Sequence, residues 1–135
     1  MVLEQFAATN ARDFARAMDL YGDDVTLIVA DENQPNAGTY EGKEAVGEWF
    51  GDWFRAFAKD YRFEIKEVRE LGGSVVFLFA GHGGSGRLSG AEVRGENAYL
   101  YRVSDGKITQ VGFFAGPPDA LEAASLPEWS GDKTD

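Results

Sequence analysis

With 135 residues and 44% hydrophobic composition, the chain has the size of one domain and enough apolar side chains for a single core. A formal charge of −10, from 23 acids against 13 Lys and Arg, argues against nucleic acid and against anionic membrane as partners, because both need a cationic surface. Without cysteine there are no disulfides or thiolate metal sites, and one histidine among scattered carboxylates leaves no metal constellation, so no metal and no cofactor are expected.

The N-terminus, MVLEQFAATNARDF, is too broken by polar residues for a signal peptide, and no apolar run approaches a membrane span, so the expected address is the cytoplasm. A short helix is predicted around residues 3–9. A second is capped by Asn10 with Asp13 at N3, and carries Phe14, Ala17, Met18 and Tyr21 at helical spacing. Asp23 and Asp24 are of a type that bonds turn amides. Residues 25–30 read as a strand, followed by the turn-rich DENQPNAG and a short extended piece at Thr39 and Tyr40.

The clearest helix is GKEAVGEWFGDWFRAFAKD, where Val46, Trp49, Phe50, Trp53, Phe54 and Phe57 form one bulky stripe. Gly47 and Gly51 inside it cost about 1 kcal/mol each relative to Ala, so tertiary packing must hold it. After Asp60 the pattern turns entirely to strands: 61–71, a Gly72-Gly73 turn, 74–82, 91–103, an Asp105-Gly106 turn, and 107–115. Strands joined by tight turns make an antiparallel meander. Pro117-Pro118 ends the last strand, DALEAASL forms a short helix, and the tail SLPEWSGDKTD is loose, its last residues disordered. One α+β domain over residues 1–126 follows, with 127–135 as a partly disordered tail.

The stretch FAGHGGSGRLSG holds the one histidine, His82, among glycines that suit a strongly bent hairpin. If the hairpin turns around Leu88 and Ser89, His82 lies opposite Gly95, Ala80 opposite Asn97, and Leu78 opposite Tyr99. His82 then shares a face with Asn97 and Tyr99 and lies above a glycine, with space beside it for a ligand if that face is the inner one. A one-residue slip turns it outward, to a solvated or locally bonded place at a corner. The same register puts Val75, Phe77 and Phe79 on the opposite face, beside Ala98, Leu100 and Phe114. That apolar face predicts a homodimer, whereas the other register puts Phe77 and Phe79 in the core.

The order of LYGDDVTLIV, YEGKEAVGEWF and YLYRVSDGKITQVGFF resembles the nuclear transport factor 2-like superfamily. GSGRLSGAEV and PDALEAASL are most similar to its SnoaL-like polyketide cyclase family. The resemblance spans nearly the whole chain and implies a cone-shaped barrel, a curved antiparallel sheet wrapped around N-terminal helices. It also implies an apolar pocket between sheet and helices and dimers through the outer sheet face. Its members include ketosteroid isomerases, epoxide hydrolases, dehydratases, polyketide cyclases and proteins without a known reaction, so it implies fold more than chemistry.

By that resemblance the isomerases' oxyanion-binding acid corresponds to Tyr99. Asn97, Tyr101, Val111 and Phe113 then face inward with it. The isomerases' general base corresponds to Val29, which cannot accept a proton, and their first-helix tyrosine to about Gln5. Asp31 shares the parity of Val25, Leu27 and Val29 and is either a carboxylate at the pocket mouth or ordinary turn chemistry. The expected site is a lipophilic small-molecule pocket walled by Trp49, Trp53, Val29, Val111, Phe113 and Tyr101, with Asn97 as a polar handle. As an enzyme it would be a cofactor-free isomerase, cyclase, dehydratase or hydrolase in which Asp31 or His82 moves a proton and Tyr99 with Asn97 stabilises the oxyanion. The alternative is a non-catalytic binding or interaction module.

Overall fold

Regular alternation of apolar and polar residues after position 60 builds most of a single sheet. A computed structural model describes residues 2–31, 37–55, 60–72, 74–86 and 90–130. In chain order it contains α1 (Val2–Asn10), α2 (Phe14–Asp19), β1 (Tyr21–Val29), β2 (Gly38–Glu41), α3 (Lys43–Arg55) and β3 (Arg62–Gly72). Then come β4 (Val75–Ser85), β5 (Glu92–Ser104), β6 (Lys107–Phe114), α4 (Pro117–Ala124) and α5 (Pro127–Ser130). Phe57 and the hairpin tip at Leu88 and Ser89 lie outside the described residues.

The strand order is β2-β1-β6-β5-β4-β3. Neighbours run antiparallel except β1 and β6, which are parallel, with Leu27 opposite Val111 and Val29 opposite Phe113. The antiparallel meander expected after residue 60 is present as β3 to β6, while no hairpin joins β1 to β6, so no turn dictates the direction of that one parallel pair. Among the described residues no ladder joins the two outer strands, β2 and β3, so the sheet is curved and open and not a closed barrel.

Two local readings also change. Asp13, not Asn10, caps α2, its side chain accepting from the Arg16 N–H at 3.2 Å. Asn10 instead pairs with β3 as a peptide group would: its amide donates to the Phe63 carbonyl at 3.0 Å and its oxygen accepts from the Phe63 N–H at 2.9 Å. Arg12 follows at positive φ (63°) and donates to the Tyr61 carbonyl at 2.6 Å. Tyr21 belongs to β1 and not to a helix, and Asp23 and Asp24 are exposed within that strand.

The concave face of the sheet packs Leu27, Val29, Leu78, Tyr99, Val111 and Phe113 against Phe6 of α1 and Val46 and Trp49 of α3. The convex face carries Val75, Phe77, Ala98, Leu100 and Phe114 beneath Ala120 of α4 and Trp129 of α5. The parity expected for Phe77 and Phe79 therefore holds, but the open face expected for a dimer partner does not. The chain's own C-terminal helices cover it, leaving Phe77 and Leu100 wholly buried. Each such side chain removed from water stabilises the fold by about 1.5–3 kcal/mol. Ordered packing accordingly runs past Leu126: Trp129, in the segment read as a loose tail, is only 2% exposed, and Arg102 donates to its carbonyl at 2.6 Å. Pro117 and Pro118 open α4, where their missing N–H groups cost nothing.

Candidate functional site

Between the helices and the concave face lies a cavity of about 30 Å³, room for about a water molecule. α1 contributes Gln5, Phe6 and Thr9; α3 contributes Trp49, Phe50, Trp53 and Phe54; the sheet contributes Leu27, Phe63, Tyr99, Tyr101, Val111 and Phe113. No Asp, Glu, Lys, Arg or His is among these lining residues. The rings meet edge to face: Tyr99 lies 5.3 Å from Phe113 and 5.6 Å from Phe6, centroid to centroid. Burial pushes the Tyr99 and Tyr101 hydroxyls well above the usual tyrosine range, so both stay protonated at neutral pH. Gln5 and Thr9 satisfy each other, the Gln5 amide donating to Thr9 Oγ1 at 3.0 Å. The buried Trp49 Nε1 has no partner among the described residues. An indole N–H left unbonded in an apolar wall costs about 1–3 kcal/mol, a cost that a ligand acceptor would remove.

Beside this cavity is a chain of polar side chains centred on His82. Asn97 donates through Nδ2 to the Phe114 carbonyl at 3.2 Å, which turns its Oδ1 toward His82 Nε2 at 2.8 Å. Nε2 therefore carries the imidazole proton, and Nδ1 accepts from the Tyr61 hydroxyl at 2.9 Å. The same Tyr61 oxygen accepts from Trp53 Nε1 at 3.0 Å. Burial lowers the His82 pKa below its ordinary value, opposed by the bond to Asn97, so the ring is neutral at pH 7.

Glycines make this arrangement possible. His82 lies opposite Gly95, and a Cβ on Gly95 would fall 2.7 Å from His82 Nε2. A Cβ on Gly84 would fall 2.5 Å from the Tyr61 Cα, so only glycine lets the hairpin approach Tyr61 this closely. On the far side of His82 an open groove of about 1080 Å³ runs over Gly81 and Gly83, between Arg62, Glu64 and Lys66 of β3 and Arg94 and Glu96 of β5. Lys66 and Glu96 pair across it at 2.7 Å.

The residues expected from sequence thus divide. Tyr99, Tyr101, Trp49, Trp53, Val111 and Phe113 line the cavity. His82 and Asn97 sit together next to it; His82 borders the groove and Asn97 is occupied by its two bonds. Val29 is core packing outside the lining. Asp31, half-buried two residues beyond β1, is also outside it. Tyr61 was missed by the sequence reading, although it shares the inward parity of Phe63 and Ile65. Among the described residues no group of three or more His, Asp and Glu side chains is placed to hold a metal ion, and no helix is long and apolar enough to cross a membrane.

The profile of a family described as the SnoaL-like domain matches residues 2–111. A search of the curated proteins finds no match. Among solved structures, an NTF2-like protein from Burkholderia thailandensis superposes with a TM-score of 0.72 at 22% identity, over 93% of this chain and 95% of that one. TerC, co-crystallised with polyporic acid, gives 0.71 at 19% identity over 90% and 92%. A protein with a ketosteroid isomerase-like fold from Catenulispora acidiphila, in complex with trimethylamine, gives 0.71 at 19% over 99% and 96%. At these identities the likeness concerns the fold.

Proposed function

Because the chain belongs to the SnoaL-like domain family, we propose that its concave-face cavity is a binding site for an uncharged lipophilic small molecule that carries hydrogen-bond acceptors. The observation that carries this reading is a lining that, among the described residues, holds aromatic rings and no charged side chain and includes Trp49, whose buried Nε1 has no partner among them. Donors without partners favour carbonyl, ether or epoxide oxygens, and a charge buried there would lack compensation. The TerC complex with polyporic acid is a precedent for a small molecule on this fold.

The reading is tested by thermal shift and tryptophan fluorescence with matched pairs of compounds, each a neutral aromatic ketone and its carboxylate analogue. The neutral member should raise the melting temperature, since ligand at about 100 times Kd adds about 2.7 kcal/mol. Trp49→Phe should weaken acceptor-bearing compounds about tenfold or more, as expected for a lost buried hydrogen bond. Equal binding of the carboxylates, or no binding by any compound, would count against it.

A second reading, cofactor-free proton transfer in the manner of an isomerase, cyclase, dehydratase or hydrolase, is favoured by the Tyr61–His82 contact at 2.9 Å beside the cavity. In it the pair Tyr61 and His82, and not Asp31, moves the proton. Both His82 nitrogens are engaged, so the ring acts as a base only once Tyr61 releases it.

A further inference from the structure

We propose that the free edge of β3 is a self-recognition surface, at which two copies of the chain pair their β3 strands antiparallel into one continuous sheet. β3 is an outer strand, and among the described residues it is laddered only to β4. Its residues Phe63, Ile65, Val68 and Glu70 lie opposite His82, Ala80, Leu78 and Val76, which alternate without interruption along β4. The N–H and C=O of Phe63 turn away from β4, where the side chain of Asn10 takes both, so alternation turns the backbone groups of Ile65, Val68 and Glu70 outward as well. Asn10 stands where a neighbouring strand would run. Beyond it the edge continues with no strand beside it among the described residues, and Val68, 41% exposed, adds an apolar side chain there.

A bulge identifies the partner. The register of β3 on β4 shifts between Ile65 and Glu67, so Lys66 and Glu67 both fall on the outer face, with Glu64 before them and Arg69 after them, while Ile65 and Val68 fall on the inner face. The pattern therefore reads the same in either direction from the Lys66–Glu67 peptide. A regular foreign strand laid along Ile65 would be one residue out of register past the bulge, with its faces reversed. A second copy, turned about a two-fold axis at that peptide, carries the same extra residue at the same place. Ile65 then meets the partner's Val68, their backbone groups exchanging bonds, while Glu64 meets Arg69 and Lys66 meets Glu67, each pair occurring twice. Sliding the strands so that Val68 meets Glu70 would instead set Arg69 against Arg69. The ion pairs these side chains make within the chain, Lys66 with Glu96 and Arg69 with Glu67, are exposed and cost little to rearrange. Glu70 gains no mate, because its place opposite Phe63 is held by Asn10, so the ladder is short and the dimer weak.

The test is sedimentation of the full chain in low salt from about 10 µM to 1 mM, the range in which a small interface associates, with amide hydrogen exchange on the same samples. The parent should pass from monomer toward dimer, and the Ile65 and Val68 amides should exchange more slowly in the concentrated sample than in the dilute one. Glu64→Lys alone and Arg69→Glu alone each set like charges opposite one another twice and should weaken the dimer by about tenfold. Glu64→Lys does so although it lowers the net negative charge, which excludes a general charge effect. An equimolar mixture of the two variants restores both opposite-charge pairs and should associate as the parent does. Both positions are exposed, and should either variant fail to fold by circular dichroism, the concentration dependence of the Ile65 and Val68 amides decides the matter in the parent alone. A parent that stays monomeric at about 1 mM would overturn the proposal. So would amides indifferent to concentration, or single variants that associate like the parent, since the interface would then lie on another surface.

Discussion

The two faces of the sheet are built from the same kinds of residue and end in opposite conditions. On the convex face, Phe77 and Leu100 are wholly buried under α4 and α5, and Gly112 is bare because a Cβ there would fall 2.7 Å from Phe114 and 2.9 Å from Trp129. These side chains meet their cover closely, as in a well-packed interior. On the concave face a void remains among aromatic rings, and neither Trp49 Nε1 nor the buried Tyr21 hydroxyl has a partner among the described residues. Void and orphan donors both cost stability. The contrast separates a face that only holds the fold together from one that holds space in reserve.

The strongest way to break this contrast is to open the convex face. Trp129→Ala should destabilise the protein by about 3–5 kcal/mol, read from the urea midpoint, because it deletes a large buried ring and uncovers Phe77 and Leu100. Sedimentation of the same variant should show more self-association than the parent. A change under about 1 kcal/mol would mean that α5 contributes little to the convex face.

A smaller effect sharpens the concave side. The His82 pKa is lowered by folding, so above its unfolded value of about 6.5 the ring is neutral in both states and its contribution is fully present. As pH falls through that value toward the lower folded one, the unfolded chain takes up the proton first and stability declines. Denaturation between pH 7.5 and 5 should show this decline, and His82→Gln should flatten it. Carboxylates enter only nearer pH 4. An identical slope in both proteins would show that the ring is not held neutral by its surroundings.

The smallest effect has the opposite sign. Tyr21→Phe removes a buried hydroxyl that has no partner among the described residues, so stability should be unchanged or rise by up to about 1 kcal/mol. A loss of more than that would show that the hydroxyl is bonded in solution.

Much of this was legible because alternation is local. That Tyr99 shares a face with Tyr101, and Val111 with Phe113, and that His82 lies opposite Gly95, follow from strand period and hairpin length; that these faces are the inner ones came from the family resemblance. What could not be read depends on distant partners. Parity ceases to apply where a strand stops, and β1 stops at Val29, so it could not bring Asp31 to the cavity. Asn10 and Asp13 are both good caps by type; Asn10 is diverted because the edge of β3, far along the chain, offers it two backbone groups. A four-residue helix holding one tryptophan has no periodicity to detect, so the covering of the convex face by Trp129 was invisible, and with it the reason that face is closed.

The parallel pairing of β1 with β6 bears on the order in which the chain can assemble. β3, β4, β5 and β6 each pair with a strand adjacent in sequence, and such contacts close quickly. β1 finds its main neighbour only at the other end of the chain, so it is joined late, and the helices α1 to α3 that roof the concave face have no complete floor until then. During synthesis the N-terminal half therefore waits, with its aromatic stripe uncovered, for β6 to emerge. A ribosome-stalled chain ending before residue 107 should engage holding chaperones, whereas one extended beyond α5 should be released.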